Sequence, residues 1–254
     1  MILALDIGNT NIVIGGIDEE KVYFECRLST DRNKTIAEYA VILKDILGIY
    51  NIEIKEITGS IMSSVVPPIN SAVREAIRLI TGKAPIEVSV GMNHGVRMYT
   101  DNPSQLGNDI LVSLVAALKK YPAPLIIFDL GTSTTIAVTD NKGILKGVVI
   151  MPGIRISQEA LTSRTSQLPA ISFDAPDSVI GTNTIDAMKS GLVFGNASMM
   201  DGMIDRIEEE LGERATVVAT GGLAECVTSH CKHEIILNDK LMLEGLWELY
   251  CKNM

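Results

Sequence analysis

Aromatic residues are scarce in this sequence. Phe, Trp and Tyr make up 4% of its 254 residues, so Ile, Val, Leu and Ala must fill the interior of the folded chain. Basic residues are also in deficit, because 22 Lys and Arg stand against 31 Asp and Glu and leave a net charge of −9. Proteins that bind the nucleic-acid backbone need clustered Lys and Arg, and we therefore expect no nucleic-acid partner.

Long apolar runs and paired cysteines are missing as well. No apolar stretch reaches the roughly 18 residues that a membrane-spanning helix needs, and Asp6 interrupts the first apolar run before the core of a secretory signal could form. The four cysteines contain no CxxC pair, and reduced thiols are typical of cytosolic proteins. These absences predict a cytoplasmic protein that does not enter a membrane.

One local cluster, Cys226, His230, Cys231 and His233, contains residue types that bind zinc. Its spacing fits none of the standard zinc patterns. We therefore interpret the segment as an ordinary helix end and loop, and we keep a metal site as the lesser alternative.

An internal repeat is the strongest pattern in the sequence. ILALDIGNTNIVIG at 2–15 aligns with LIIFDLGTSTTIAV at 125–138, which places Asp129 on Asp6 at an offset of 123 residues. Each copy is an apolar strand, a polar turn that contains glycine, and a second apolar strand. A repeat half a chain apart predicts two similar α/β halves, which we place at residues 1–120 and 121–254.

Strands and helices alternate through both halves, as is typical of an α/β fold. The capping box Thr35–Glu38 predicts a helix that ends at Gly48. Its buried face is expected to contain Ile36, Ala40, Leu43 and Leu47. The other predicted elements are a strand over 57–66, a helix closed by Gly82, a helix that opens at Gly107, a helix from Asn183, a separate helix over 203–212, and a strand over 215–220.

The polar turns have the composition of phosphate-binding loops. Gly8 has no Cβ, so backbone N–H groups there can approach an anion, and Asn9, Thr10 and Asn11 add neutral donors. Asp6 repels phosphate but can hold a hydrated Mg²⁺ that bridges phosphates. The same reasoning gives Asp129 a cation and gives Gly131 and Thr132 a phosphate contact. The alternative is that both turns are tight hairpins with self-bonded Asx turns.

A pair of adjacent glycines, Gly221 and Gly222, follows the predicted strand that ends at Thr220. Two glycines at a strand end leave a flat backbone on which the planar base of a nucleotide can lie. An ordinary strand-to-helix turn is the equally supported alternative.

Together these features resemble the superfamily of sugar kinases, Hsp70 and actin, and more closely the type III pantothenate kinase family. The matching segments occur in family order and cover nearly the whole chain: DIGNTN (6–11), TDNPSQLGND (100–109), DLGTSTT (129–135), MPGIRISQEAL (151–161), TSQLP (165–169), GTNTIDAMKSGLVFG (181–195) and LMLEGL (241–246). Each segment alone is weak, but the ordered set is specific.

The resemblance implies a fold and an activity. The expected fold is α/β, with duplicated actin-like (ribonuclease H-like) halves, mixed sheets flanked by helices and a cleft between the halves. The expected reaction is the ATP-dependent phosphorylation of pantothenate to 4′-phosphopantothenate, the first step of coenzyme A biosynthesis. Mg²⁺, a monovalent cation such as K⁺ or NH₄⁺, and a homodimeric state are expected with it.

The resemblance also implies a set of site residues. ATP and its phosphates are expected to contact Asp6, Ile7, Gly8, Asn9, Thr10, Asn11, Ile12, Val13, Gly131, Thr132, Gly221 and Gly222. Pantothenate is expected to contact Tyr99, Gly107, Asn108, Asp109, Ile110 and Thr184. Asp129 is the expected ligand of the monovalent cation, and Asp6 that of Mg²⁺ through water.

Asp109 is the expected catalytic base. It should lie in the first turn of a helix, where the helix dipole favours a carboxylate, and this position predicts a normal or lowered pKa. The alternative is that Asp109 only stabilises the helix end, since aspartate is common there for that reason.

Ile110 departs from the family pattern, which usually has arginine after the aspartate. Loss of a charge-assisted contact to an acidic substrate would cost about 1.5–3 kcal/mol. Three explanations stay open: another cation such as Arg97 or Arg155 replaces the arginine, the acceptor has changed, or catalysis has decayed. The last makes the chain a nucleotide-binding regulatory homologue, which is the alternative function.

Overall fold

Two β-sheets, one of five strands and one of six, organise residues 1–99 and 101–254, the part of the chain that this computed structural model describes. Thr100, in the predicted acceptor segment, lies outside the described residues. In chain order the elements are β1 (Ile2–Ile7), β2 (Asn11–Ile17), β3 (Val22–Ser29), α1 (Ile36–Ile49), β4 (Gly59–Ser64), α2 (Pro67–Thr81), β5 (Ile86–Glu87), β6 (Arg97–Met98), α3 (Asn108–Lys120), β7 (Leu125–Leu130), β8 (Ser133–Thr139), β9 (Ile144–Pro152), α4 (Ile154–Arg164), α5 (Thr184–Leu211), β10 (Thr216–Thr220), α6 (Ala224–Thr228), β11 (Ile236–Leu237) and α7 (Leu241–Asn253).

The contacts of the chain divide it into two compact units. The first comprises Met1–Gly95, Asn102–Ala116 and Lys240–Met254, and the second comprises Val96–Asp101 and Ala117–Asp239. The predicted halves, 1–120 and 121–254, stay a prediction about domains. By contact, the C-terminal helix α7 belongs with the first unit.

The sheet of the first unit has the strand order β3-β2-β1-β4-β5. Strands β1 to β3 are antiparallel neighbours, whereas β4 is parallel to β1 and β5 is parallel to β4. Helices α1 and α2 cover the face that carries Leu3 and Leu5. Helix α7 covers the opposite face, where Leu243 packs so closely on Gly15 that a Cβ there would lie 2.6 Å from it. Because both faces are covered, β1 is apolar along almost its whole length.

Helix α1 begins as predicted and differs in one buried position. Thr35 is its N-cap, and the backbone N–H of Thr35 donates to Glu38 Oε2 at 2.7 Å, which completes the capping box. The prediction that Ile36 is buried is wrong: this first-turn residue is 42% exposed. Tyr39 lies in the core instead, and its hydroxyl donates to the Asp31 carbonyl at 2.7 Å. A tyrosine is compatible with that position because its polar end reaches a partner.

The sheet of the second unit repeats the pattern of the first, with the order β11-β10-β7-β8-β9-β6. Strands β7 to β9 are antiparallel neighbours, and β10 is parallel to β7. Helices α4, α5 and α6 contribute to the core on the face that carries Ile126 and Phe128. Mixed sheets flanked by helices, as predicted, are confirmed in both units.

Helix α5 corrects the prediction of two separate helices in this region. Residues Thr184–Leu211 form a single helix of 28 residues that is closed by Gly212 at φ 74°. Gly195 and Gly202 lie inside it, where glycine costs about 1 kcal/mol each relative to alanine. Met200, Ile204 and Ile207 are buried in the core of the second unit, and this packing holds the helix together across its glycines.

The duplication that the sequence predicts is confirmed in detail. Strands β1 and β7 each have six residues, and each buries every residue except its aspartate, Asp6 or Asp129, which is half-buried. A bulge also repeats: the pairing of β2 with β3 leaves out Tyr23, and the pairing of β8 with β9 leaves out Lys146. These two positions are again 123 residues apart.

None of the helices formed by the described residues is both long enough and apolar enough to cross a membrane.

Candidate active site

The turn between β1 and β2 is closed by its own backbone. The Gly8 N–H donates to the Asn11 carbonyl at 3.0 Å, and a Cβ on Gly8 would lie 3.1 Å from that same oxygen. Residue Thr30, just after β3, braces the turn, because its hydroxyl donates to the Gly8 carbonyl at 2.6 Å and its N–H to the Thr10 carbonyl at 3.0 Å. The Gly8 N–H is therefore used within the turn and is not available to an anion while this hydrogen bond is kept.

The predicted phosphate-binding residues of this turn differ in their exposure, and Val13 among them is half-buried. Asn9, Thr10 and Asn11 have exposed side chains at its tip. Ile7 and Ile12 are buried in the core of the first unit, so only their backbone can contact a ligand.

Arg32 adds a positive charge to this turn. This charge was not predicted from the sequence. Its guanidinium donates to Asn9 Oδ1 at 3.3 Å, and its side chain is exposed. An arginine fork is well suited to phosphate. The signal in the sequence was an arginine in the short loop after β3, but only the pairing of β3 with β2 shows that this loop reaches the first turn.

Asn108 docks the N-terminus of α3 against the sheet of the first unit. Its side-chain N–H donates to the Ser64 carbonyl at 3.2 Å, at the end of β4. In the parallel register Ser64 lies opposite Ile7, the last residue of β1. The start of α3 is thereby placed at the same end of the sheet as the β1–β2 turn, and Asp109 follows directly.

The Asp109 carboxylate is held by its own helix and is half-buried. Its Oδ1 accepts a hydrogen bond from the Ile110 N–H at 2.9 Å. Burial raises the pKa of Asp109, and hydrogen bonds from the backbone N–H groups of Ile110 and Asp109 only partly oppose this. The predicted normal or lowered pKa is wrong, because desolvation of the carboxylate outweighs the favourable helix N-terminus. A carboxylate with a raised pKa is a stronger base.

Gly107 leaves the space that the Asp109 side chain occupies. A Cβ on Gly107 would clash with Asp109 Oδ1, so the glycine is required for this side-chain position. Ile110 is 7% exposed and packs nearby, since its Cδ1 would lie 3.7 Å from a Cβ on Gly107. Ile110 therefore contributes apolar packing and offers no polar group.

The turn between β7 and β8 in the second unit resembles the first turn in its construction. The Gly131 N–H donates to the Ser133 carbonyl at 3.1 Å, and Asp129 Oδ1 lies 3.5 Å from the place of a Gly131 Cβ. Gly153, the residue before α4, packs directly on this turn. A Cβ added to Gly153 would clash with the Thr132 carbonyl oxygen and would lie 2.7 Å from the Gly131 carbonyl oxygen. Gly153 was not singled out from the sequence, since only the fold brings it to the turn.

Gly221 and Gly222 form the turn from β10 into α6. Gly221 has φ 102°, a conformation that favours glycine. A Cβ added at this position would lie 2.6 Å from the Leu130 carbonyl oxygen. The strand-to-helix turn named as the alternative is therefore present, and it lies beside the end of β7.

The two remaining predicted acceptor contacts lie in the second unit. Tyr99 is 67% exposed, and its N–H donates to the Leu145 carbonyl at 2.9 Å. Thr184 is the first residue of α5, next to the N-cap Asn183, whose side chain accepts from the Asp186 N–H at 3.0 Å. Thr184 also lines a cavity of about 950 Å³ between α4 and α5.

The Cys226 to His233 segment is tied to α5 by carboxylates. Asp201 accepts hydrogen bonds from the Lys232 and His233 N–H groups, and the His233 ring lies 2.8 Å from Asp205 Oδ1. Burial, followed by the charge of Asp201, raises the pKa of Cys231 to about 12, so its thiol is protonated at neutral pH. Across residues 1–99 and 101–254 no three His, Cys, Asp or Glu side chains come together as a metal site.

Comparison with known proteins gives a consistent result. A family model described as type III pantothenate kinase matches residues 2–206. A type III pantothenate kinase of Exiguobacterium sp. strain AT1b is 42% identical over 253 residues, covering 100% of this chain and 99% of the relative. The type III pantothenate kinase of Bacillus cytotoxicus is 39% identical, covering 100% of this chain and 97% of the relative.

Among solved structures, component A of (R)-2-hydroxyglutaryl-CoA dehydratase from Acidaminococcus fermentans is similar, with a TM-score of 0.56. The match covers 98% of this chain and 96% of that chain at 14% identity. At this identity the likeness concerns the fold alone, and it confirms the predicted actin-like ATPase fold class.

Proposed function

This chain belongs to the type III pantothenate kinase family, and from that premise we propose that it transfers the γ-phosphoryl group of ATP to the 4′-hydroxyl of pantothenate. The products are 4′-phosphopantothenate and ADP, and the reaction is the first step toward coenzyme A. The comparisons give no support to the alternative, a regulatory nucleotide-binding protein with little transfer activity.

The placement of Asp109 supports this function most directly. Phosphoryl transfer requires a group that orients the attacking hydroxyl and accepts its proton. Asp109 is a partly desolvated carboxylate at the start of a helix that Asn108 fixes to the end of β4, beside the end of β1. A base and a phosphate-type turn thus occur together within the first unit.

A coupled assay of ADP release tests the function. Wild-type protein with MgATP should release ADP only when pantothenate is present, and mass spectrometry should find one phosphate added to pantothenate. ADP release at the same rate without pantothenate would contradict the proposed reaction.

We propose roles for the two strand-end aspartates as cation ligands. Carboxylate oxygens bind hard cations such as Mg²⁺, and both Asp6 and Asp129 are half-buried near the ends of equivalent strands. Asp6 would hold Mg²⁺ through water, and Asp129 would hold K⁺ or NH₄⁺. When bound, these cations neutralise phosphate charge. Gly131, Thr132, Gly221 and Gly222 would contact the nucleotide.

We also propose that the protein is a cytoplasmic homodimer. Met200 of α5 is buried in the core of its own unit, whereas Met199 and Met203 are only partly buried against that core. Light scattering of the purified protein should give twice the 27.4 kDa mass of one chain.

Arg32→Ala is expected to raise the KM for ATP about tenfold, because it removes a charge-assisted contact at the phosphate turn. Steady-state kinetics at saturating pantothenate measure this effect. Arg78→Ala is the matched control, since Arg78 is an exposed arginine on α2 that pairs with Glu75. An unchanged KM for ATP in Arg32→Ala would exclude Arg32 from the phosphate site.

Gly107→Ala is expected to lower kcat about tenfold with little change in the KM for ATP. The added Cβ would clash with Asp109 Oδ1, and displacement of a catalytic group by about 1 Å can cost up to about 10²-fold in rate. Gly191→Ala, where a Cβ meets no atom within 4 Å, should retain the wild-type kcat. Equal rates for Gly107→Ala and the wild type would show that the Asp109 side-chain position is not important.

A further inference from the structure

Ser63 carries a buried hydroxyl that has no hydrogen-bond partner within residues 1–99 and 101–254. The residue lies in β4 and is 0% exposed, and its Oγ is fully enclosed. A buried polar group without a partner is destabilising, and in a native fold it calls for an explanation such as a bound water, an ion or a catalytic role. An alanine would fill the same space without this cost, so we expect the hydroxyl to find its partner in a bound state of the protein.

The neighbour of Ser63 across the sheet is Asp6. The parallel pairing of β1 with β4 places Asp6 opposite Ser63. Adjacent strands lie about 4.8 Å apart, and residues paired in register project from the same face of the sheet. Rotation about the Cα–Cβ bond of serine moves its hydroxyl among three staggered positions. The Ser63 hydroxyl can therefore be turned toward the Asp6 carboxylate without movement of the backbone.

Both side chains lie on the face of the sheet opposite α1 and α2. Met62, the residue before Ser63, belongs to the core that these two helices cover, and alternation along the strand places Ser63 on the other face. The Asn108 side chain bonds to the Ser64 carbonyl at 3.2 Å, so the start of α3 lies next to the end of β4. Ser63 thus occurs where the first unit brings together its strand-end aspartate and the helix that carries the proposed base.

The second half of the chain repeats this arrangement. Thr220 of β10 lies opposite Asp129 in the parallel pairing of β10 with β7, and Thr220 is 2% exposed. Each unit therefore sets a buried hydroxyl residue beside its strand-end aspartate. The recurrence indicates that the hydroxyl belongs to the construction of the aspartate site and is not an accident of packing in β4.

We infer that Ser63 is a positioning residue for Mg²⁺, because its hydroxyl donates to the Asp6 carboxylate when that carboxylate holds the hydrated cation. A hydrogen bond to one carboxylate oxygen fixes the orientation of the group and leaves the other oxygen for the water of the cation. Removal of such a supporting donor typically lowers metal affinity by about 10–100-fold. This inference rests on the proposed function and on the role proposed there for Asp6.

The test measures how much Mg²⁺ strengthens nucleotide binding. Calorimetry gives the Kd of the β,γ-imido analogue of ATP, which cannot transfer its phosphate, in Mg²⁺ and in EDTA, and the ratio of the two values is the gain due to the cation. Ser63→Ala should lower this gain about tenfold, with the Kd in EDTA unchanged. Its melting temperature in EDTA should equal or exceed that of the wild type, because the substitution removes a buried hydroxyl that has no partner.

Ser60→Ala is the matched control on the same strand. Ser60 is also buried, at 4% exposed, and its Oγ also has no partner within residues 1–99 and 101–254. It lies opposite Leu3, however, on the face that α1 and α2 cover. Ser60→Ala should therefore keep the wild-type gain.

The possible results separate the inference from the proposed function. Wild-type protein that does not phosphorylate pantothenate removes the proposed function. Wild-type turnover combined with an unchanged gain in Ser63→Ala overturns only the role of Ser63. Equal losses of the gain in Ser60→Ala and Ser63→Ala also overturn it, as does a lower melting temperature of Ser63→Ala with weaker binding in EDTA, because either result would indicate a structural effect. A wild-type Kd that Mg²⁺ does not change overturns the inference together with the role of Asp6.

Discussion

Asp109→Asn is expected to lower the rate of phosphoryl transfer to pantothenate by about 10²–10⁴-fold, the usual contribution of a positioned general base. Asparagine has nearly the same shape and keeps the helix-end hydrogen bonding, but it cannot accept the hydroxyl proton. The coupled ADP-release assay at saturating ATP and pantothenate measures the loss. Asp45→Asn, an exposed aspartate on α1, is the matched control and should retain the wild-type rate.

The stability of the same variant distinguishes a base from a helix-stabilising acid. Burial raises the pKa of Asp109 above its value in the unfolded chain. Its ionised form therefore makes the folded state less stable, and this loss appears as the pH rises from the unfolded pKa through the folded one. Asp109→Asn should consequently melt at the same or a higher temperature than the wild type at pH 7. A variant that is destabilised yet active would support the helix-stabilising alternative.

The pH profile of the wild type follows from the same shift. Since the base must be ionised to accept a proton, kcat/KM for pantothenate should fall as the pH drops through the folded pKa of Asp109. Because burial raises this pKa, the acid limb should lie above the ordinary range of an aspartate. An acid limb within the ordinary range of aspartate would contradict the assignment of Asp109 as the base.

Local sequence signals predicted most elements of the fold because they depend on neighbouring residues. The capping box at Thr35, the left-handed Gly82 that ends α2, and the repeated strand–turn–strand segments all act over a few residues and were found as predicted. The prediction of a break inside α5 was wrong, because long-range packing of Met200 and Ile204 overrides the local cost of glycine.

The candidate site was less accessible to prediction because its properties arise from packing. The helix dipole at Asp109 was visible in the sequence, but the desolvation that raises its pKa depends on what surrounds α3. Arg32 reaches Asn9 through the pairing of β3 with β2, and Ser63 lies beside Asp6 through the parallel pairing of β4 with β1. None of these arrangements has a signature at short sequence separation.

Gly153→Ala is expected to lower kcat/KM for ATP about 10²-fold and to destabilise the fold by about 1–3 kcal/mol, the usual cost of overpacking. The new Cβ would clash with the Thr132 carbonyl and lie 2.7 Å from the Gly131 carbonyl. Both atoms belong to backbone, so the β7–β8 turn or the start of α4 must move. If this turn binds phosphate, the movement displaces its donors.

Gly147→Ala is the matched control for this experiment, because it makes the same substitution in β9 where a Cβ meets no atom within 4 Å. It should leave the free energy of unfolding within about 0.5 kcal/mol of the wild type and keep the KM for ATP. Urea denaturation and ATP kinetics on both variants separate two consequences of the clash. Loss of stability with normal ATP kinetics would show that Gly153 only packs against the turn, whereas loss of both, confined to Gly153→Ala, would support the proposed nucleotide role of Gly131 and Thr132.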